Sequence, residues 1–450
     1  MTCWVSDAAT PADIYASPAK WVQSGAGAQG NLFLTGRAGT GKTTLLKRFL
    51  EDAGDKAIVL APTGVAAMNA GGQTLHSFFK FPPRLIEPTD IKRLRTTRLI
   101  RAIDTLIIDE ISMVRSDMLE AIDLSLKLNR GSKRPFGGVR MILAGDLHQL
   151  PPVVRGEEVD LLQERFGGAY FFNAQAFKDA EFALLALKHV FRQDDPKFLA
   201  LLGAMRRGRI TPSDEATLRS CVSQRSAIEA SETHVVLTPN NRNADRINQA
   251  RLEELTSKPQ VFEATVDGQF DEKSYPTDPD LELKLGARVM VLRNDPEGRW
   301  VNGSLGTVSG FDGDSVLVEI EGRTRLIEPA AWEKYRYSVD PKTEKVKREV
   351  VGTFKQVPLR LAYAVTIHKA QGLTLDRVFI DFDHGMFAHG QAYVAFSRAR
   401  NLEGLEISRP LRPRDLVMDR AAFAFGKLET VEDTDAFLLA KFARADGGLL

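Results

Sequence analysis

Gly36, Gly39 and Gly41 are closely spaced, and Lys42 and Thr43 follow them directly. The run NLFLTGRAGTGKTTLLKR places them between an apolar stretch, Leu32, Phe33 and Leu34, and a helically spaced one, Leu45, Leu46, Phe49 and Leu50. The segment therefore reads as strand, tight loop and helix. Glycines at these positions let the backbone turn with its N–H groups pointing inward, and a helix start adds partial positive charge, which together make a nest for phosphate oxygens. The candidate nucleotide contacts are Gly36, Ala38, Gly39, Thr40, Gly41, Lys42, Thr43 and Thr44. In this pattern Lys42 reaches the β- and γ-phosphates and Thr43 holds Mg²⁺, so the chain is expected to bind a nucleoside triphosphate.

Two further constellations belong to the same chemistry. In LIIDEIS an apolar run delivers Asp109 and Glu110 side by side. One carboxylate is suited to holding Mg²⁺ and the other to orienting and deprotonating a water. In AGDLHQLPPV, Gln149 comes just past another apolar run, where an uncharged amide can sense the γ-phosphate, and the two prolines stiffen the adjoining backbone.

Each of these groups must stand at the end of a buried strand. The apolar runs Leu32–Leu34, Ala57–Leu60, Thr105–Ile108 and Arg140–Ala144 precede chemistry-bearing residues, as in a parallel sheet that binds ligands at its carboxyl edge. A second set, Ala183–Leu187, His234–Leu237, Arg377–Ile380 and Gly404–Ile407, predicts a second α/β unit. Between about residues 251 and 355 glycine, proline and aspartate become frequent and apolar residues alternate with polar ones. Ala287–Leu292, Gly306–Val308 and Ser315–Ile320 read as short antiparallel strands of a small inserted β-barrel. Phe81–Arg101 is a smaller, cation-rich interruption of the first unit, and residues 115–134 read as a helix with apolar Met118, Leu119, Ile122, Leu126 and Leu128.

Composition sets the outer bounds. A chain of 450 residues with net charge +1 can bury large cores, and it must meet any polyanion through local basic clusters. Cys3 and Cys221, without paired spacing, argue against a disulfide framework or a structural zinc. A basic-then-apolar leader and a long apolar span are both lacking, so a soluble, cytoplasmic protein without a membrane partner is expected.

Taken together, AGTGKT, DEISMV, PFGG (Pro135–Gly138) and GDLHQLPPV resemble the RecD-like branch of superfamily 1 helicases, and within it the petite-integration-frequency (Pif) DNA helicases. VFRQ (Val190–Gln193), TIHKAQGLTLD (Thr366–Asp376) and GQAYVAFSRAR (Gly390–Arg400) resemble that family's later motifs. The resemblance implies an α/β fold of two tandem RecA-like P-loop domains. The first would span residues 1–181 with a small basic insertion at 80–101, the second 182–250 and 356–450, and an SH3-like β insert 251–355. Beyond Arg409 the chain reads as a short helical tail, so a minimal motor core is expected. The implied activity is ATP- and Mg²⁺-dependent 5′→3′ translocation on single-stranded DNA with duplex unwinding, by a monomer that is nucleoid-associated if bacterial. Single-strand–duplex junctions are the expected partners, with G-quadruplexes and RNA–DNA hybrids as further candidates. An RNA helicase, or an ATP-dependent DNA-binding switch with slow turnover, is the alternative.

Within this reading Lys42, Glu110, Gln149, Arg192 and Arg398 are the candidate catalytic residues, and Thr43 and Asp109 the candidate metal ligands. Gly372 is a further nucleotide contact. The two arginines answer the negative charge that develops on a transferred phosphoryl group, and they require the two α/β units to close on each other. Candidate DNA contacts are Thr63, Gly64, Thr74, His76, Ser77, Phe78 and His148 from the first half. From the second half come Thr238, Asn240, Asn302, Gly303, Thr366, His368 and Lys369. Where the family carries an adenine-reading glutamine, Gln23 and Gln29 stand at a different, glycine-rich spacing, so base selectivity is left unassigned.

Overall fold

The computed structural model describes residues 30–340 and 345–426, and the chain divides into two compact units. The first contains the described residues up to Phe191, the segment Tyr335–Val350 and the segment from Asp419. The second contains Arg192–Lys334 and Val351–Met418. Cys3, Gln23 and Gln29 lie outside the described residues.

The first unit is built on six parallel strands: β1 (Asn31–Gly36), β2 (Ala57–Ala61), β3 (Gln73–Thr74), β4 (Thr105–Ile108), β5 (Arg140–Ala144) and β6 (Phe182–Leu187). Their order is β3-β2-β4-β5-β1-β6. Side chains alternate between two cores, as the period-two geometry of a strand requires. Phe33, Ile58, Leu60, Leu106, Ile108, Met141 and Leu143 share one cluster. Leu32, Leu34, Val59, Ile107, Ile142 and Ala144 share the other. All are 4% exposed or less, which is why these strands read as continuous apolar runs.

The assignment of Phe182–Leu187 to the second unit is corrected. The strand pairs along its whole length with β1, from Asn31 opposite Phe182 to Gly36 opposite Leu187. A buried parallel strand looks the same locally in either sheet, and only its partner decides. Gly36 permits the pairing: it has φ 146°, and a Cβ there would stand 2.6 Å from the Leu187 carbonyl oxygen.

One face of this sheet carries an aromatic cluster in which Phe177 stacks on Phe182 at 4.8 Å and meets Phe171 edge-on at 5.2 Å. Phe425, from the helix Arg420–Gly426, stacks on Phe172 at 4.3 Å. Tyr337 joins the same core, its hydroxyl donating to the Val59 carbonyl at 3.4 Å and accepting from the Val59 N–H at 3.3 Å. The helix Ser116–Arg130 buries Met118, Leu119, Ile122 and Leu126, whereas Leu128 is 38% exposed on the opposite side. The cationic insertion ends in the helix Thr97–Ala102. Arg84 grips Asp90 with two bonds of 2.7 Å, and Lys92, Arg93 and Arg95 are exposed.

In the second unit, Ala364–Thr366, Val235–Thr238, Val378–Ile380 and Leu405–Ile407 form a parallel sheet in that order. Ala364–Thr366 is a strand that the apolar pattern does not mark, since it is short and merges with the motif after it. Four strands of the insert, Arg323–Ile327, Ser315–Ile320, Leu305–Asp312 and Arg288–Val291, and Leu359–Leu361 just beyond its expected bounds form a five-stranded antiparallel sheet around its own apolar core. The chain here also forms a longer pair than expected, Ala330–Val339 with Val346–Gln356. Its distal part, Tyr335–Val350, belongs to the first unit.

Phe177 is 1% exposed and surrounded by rings, so Phe177→Ala removes both its transfer energy and its stacking partners. Denaturant titration is expected to show a loss of roughly 3–5 kcal/mol; a change below about 1 kcal/mol would mean the cluster can collapse into the space.

Candidate functional site

The loop between β1 and α1 (Lys42–Ala53) adopts the conformation its glycines permit: Gly39 has φ 81° and Gly41, the residue that starts α1, φ 82°. A β-carbon would strain both positions. The Lys42 ammonium lies over the loop and donates to the carbonyls of Gly36 at 2.8 Å and Arg37 at 3.1 Å. The Thr40 hydroxyl closes the turn by donating to the Arg37 carbonyl at 2.9 Å. One loop thus holds a cation among inward-facing backbone groups at a helix N-terminus, which suits a polyphosphate.

The end of β4, two places along the sheet from β1, completes the site. The Thr43 hydroxyl donates to Asp109 Oδ2 at 3.2 Å, and the Glu110 N–H donates to Asp109 Oδ1 at 2.9 Å. Burial pushes the Asp109 carboxyl upward, opposed by the Glu110 N–H, the Lys42 ammonium and the Thr43 hydroxyl. A hydroxyl beside a carboxylate is the hard oxygen set that Mg²⁺ takes. Among the described residues no group of three or more His, Cys, Asp or Glu side chains could hold a metal. A cation here would therefore draw its remaining ligands from phosphates and water, the usual habit of Mg²⁺. Glu110 has φ 54° and ψ 45°, an uncommon backbone state for a residue with a side chain, and it turns the chain sharply at the end of β4.

Gln149 is buried beside Asp146, donating to its carboxylate at 3.3 Å through the side chain and to its carbonyl at 3.0 Å through the backbone. Asp146 is thus an organising residue that the motif reading missed.

The second unit brings three of the expected motifs together. Arg398 is 1% exposed, and its guanidinium donates to the carbonyls of Val394, Ala370 and Leu373 and to the Ser397 hydroxyl. Arg192 donates to the Thr374 hydroxyl at 2.9 Å and to the carbonyls of Gly372 and Ser397. Gln193, which sequence reasoning passed over, bonds the Ser397 and Ala399 carbonyls at 3.0 Å each. Gly372 has φ 89° and is exposed. Arg192 and Gln193 of VFRQ therefore meet TIHKAQG and SRAR at one junction inside the second unit.

The expected DNA contacts divide. Thr63, Thr74 and Asn240 each cap a helix, their side-chain oxygens accepting from the N–H groups of Ala66, Ser77 and Asn243. Asn240 also donates to Asp383 at 2.8 Å. Gly64 and Ser77 are half-buried, Ser77 accepting from Gln73 at 2.9 Å. His76 faces the Phe81 carbonyl at 3.3 Å, and burial lowers its pKa. Asn302, His368 and Lys369 are exposed. Thr366 is buried, its hydroxyl accepting from the Lys369 N–H at 3.3 Å.

Four more of the expected contacts are, like Thr366, buried. Phe78 is 6% exposed and packs edge-on against Phe79 and Tyr337, so it offers no face for a base. His148 is buried against Phe423. Thr238 is fully buried, accepting from Asn243, which also donates to Asp381. Gly303 is buried at its turn beside Leu373. In each case a residue type suited to nucleic acid is spent on packing or on an internal hydrogen bond.

A family model described as PIF1-like helicase matches residues 18–216. The chain is 33% identical to the ATP-dependent DNA helicase Pif1 of Bdellovibrio bacteriovorus over 410 residues, 88% of each protein. The chain belongs to the PIF1-like helicase family. Human ATP-dependent DNA helicase PIF1 is 35% identical over 84% of this chain and 58% of that protein. The structure of unliganded Pif1 from Bacteroides sp is similar with a TM-score of 0.86 and 35% identity, covering 94% of this chain and 98% of that one. That of Bacteroides Pif1 bound to ssDNA gives 0.67 at 35% identity, covering 96% and 99%. Among the described residues of this PIF1-like helicase, no helix is long and apolar enough to cross a membrane.

Lys42→Ala is expected to weaken binding of a fluorescent ATP analogue by at least about tenfold in titration, roughly 1.4 kcal/mol; unchanged affinity would remove Lys42 from the phosphate site. Glu110→Gln keeps the shape and loses the base. It is expected to bind the analogue normally and to release phosphate about 10²-fold more slowly or worse, so fast turnover would assign the base elsewhere.

Proposed function

We propose that this chain is an ATP-dependent DNA helicase that moves 5′→3′ along single-stranded DNA and unwinds the duplex ahead of it. The carrying observation is the cluster at the ends of β1 and β4, where Lys42 lies in the loop, the Thr43 hydroxyl meets Asp109, and Glu110 stands beside them. Support comes from relatives named as ATP-dependent DNA helicases, from a Bacteroides Pif1 structure in complex with ADP-AlF4 and from one bound to ssDNA.

In this reading both parallel-sheet units are RecA-like and the antiparallel insert is SH3-like. Lys42 and the loop N–H groups hold the β- and γ-phosphates, and Thr43 and Asp109 would hold Mg²⁺, which when bound would neutralise charge on the phosphates. Glu110 orients the attacking water and accepts its proton. Gln149, kept in place by Asp146, is the group whose surroundings change when the γ-phosphate leaves. Arg192 and Arg398 supply the positive charge that phosphoryl transfer requires, a contribution of roughly 10³–10⁵ in rate in such enzymes.

The strand would meet exposed Lys369, His368 and Asn302, with half-buried Thr63, Gly64, Thr74, His76, Ser77 and Asn240 alongside. Junctions of single-stranded and duplex DNA are the substrate of a monomeric motor, with G-quadruplexes and RNA–DNA hybrids as further ones. A duplex with only a 5′ tail is expected to be unwound with ATP, and the same duplex with only a 3′ tail to be left intact, as read by strand separation on a gel. Unwinding of the 3′-tailed substrate alone would overturn the direction of travel. Failure on both, with DNA-stimulated hydrolysis retained, would reduce the protein to a translocase.

A further inference from the structure

The second unit contains a cavity of about 190 Å³ between the helix Asn241–Glu253 and the strands Leu359–Leu361 and Ala364–Thr366. Pockets for drug-sized molecules run to about 300–1,000 Å³, so this one has room for a single ring system. Ala244, Leu361, Ala364 and Val365 lie behind a lining that is mostly polar. Asn248 fixes one wall, donating to the Ala364 carbonyl at 2.8 Å and accepting from its N–H at 2.9 Å.

Four charged groups line the rest: Asp245, Asp278, Arg360 and Lys369. Arg360 donates through Nη2 to the Pro276 carbonyl, leaving its other N–H groups without a hydrogen-bond partner among the described residues. Burial lowers its pKa, opposed by Asp278, but a guanidinium stays charged at any physiological pH. Among the described residues, the carboxylates of Asp245 and Asp278 and the ammonium of Lys369 likewise make no hydrogen bond. Two cations and two anions balance. A phosphate would face two carboxylates and a metal ion two cations, so neither suits the pocket. A neutral molecule with both donors and acceptors on its edges suits it.

We propose that the cavity receives one unstacked nucleobase of the strand passing Thr366 and Lys369, and that it prefers guanine. This rests on the reading of the chain as a single-stranded DNA motor. Guanine presents adjacent N1–H and N2–H₂ donors, which a carboxylate accepts together, and O6 and N7 acceptors, which arginine or lysine satisfies. Adenine would turn the N1 lone pair toward a carboxylate, and thymine offers only one donor.

The test uses the full chain and thymine oligonucleotides of one length, each carrying a single guanine, adenine, cytosine or abasic residue at a successive position, with affinity read by fluorescence anisotropy. Guanine at one register is expected to tighten binding about fivefold or more, the lower end of a bidentate base contact, and an abasic residue there to weaken it. Asp278→Asn and Asp245→Asn, both at exposed positions, are expected together to bring the guanine-to-thymine ratio within about twofold of unity. Equal affinity for every base at every register overturns the base pocket and leaves strand binding intact. A guanine preference that survives both substitutions places the base elsewhere and also overturns the assignment. Failure to bind any oligonucleotide overturns the single-stranded DNA reading instead.

Discussion

A strand buried on both faces has no place for a polar side chain except at its ends. That constraint organises the first unit. Between Leu32 and Leu34, and between Leu106 and Ile108, nothing but hydrocarbon is tolerated, and the first polar groups emerge where β1 and β4 stop. β1 and β4 run parallel with β5 between them and end at the same edge, so Thr43 and Asp109 come within 3.2 Å although 66 positions separate them. The glycine loop has the same origin: the chain must leave a crowded edge at once, and only glycine turns that tightly beside the Leu187 carbonyl. Position in the sheet, rather than any feature of the loop alone, makes the cluster.

The second unit solves a different problem, how to keep cations inside a protein. Arg398 is among the largest fully buried side chains, held by backbone carbonyls and a hydroxyl. Arg192 is handled the same way, and among the described residues it has no carboxylate partner. Carbonyl dipoles orient a guanidinium and satisfy its donors without cancelling its charge. A carboxylate in place of the partners of Arg192 would have neutralised its charge and weakened its attraction for an anion. The same partners tie three sequence motifs into one rigid knot, since each arginine bridges segments far apart in the chain.

Much of this was legible from residue types. Glycine spacing before a lysine, and paired carboxylates after an apolar run, have a mechanical meaning that survives without coordinates. Other features were not legible, for physical reasons. Phe182–Leu187 could belong to either sheet because parallel strands carry no mark of their neighbours. Thr63, Thr74 and Asn240 are the residue types that contact phosphates and equally those that cap helices, and all three act as caps. Phe78, His148 and Thr238 were placed at the right edges of the sheets, but burial, which depends on tertiary packing, turned them inward. Gln193 and Asn243 were passed over because their partners, Ser397 and Asp381, are distant in sequence.

The two units are not consecutive stretches of chain. The polypeptide leaves the first after Phe191, returns to it for Tyr335–Val350, and returns again from Asp419. The aromatic core around Phe171 and Phe177 therefore stays unfinished until Phe425 has been made, and Tyr337 reaches Val59 only after most of the chain exists. A protein synthesised from its N-terminus would carry an exposed apolar face on the first sheet for much of that time. Closure of such long loops is slow, and exposed partial cores invite aggregation. The helix Arg420–Gly426 thus acts as a late keystone in folding: the nucleotide loop leaves the ribosome well before the residues that complete the body supporting it.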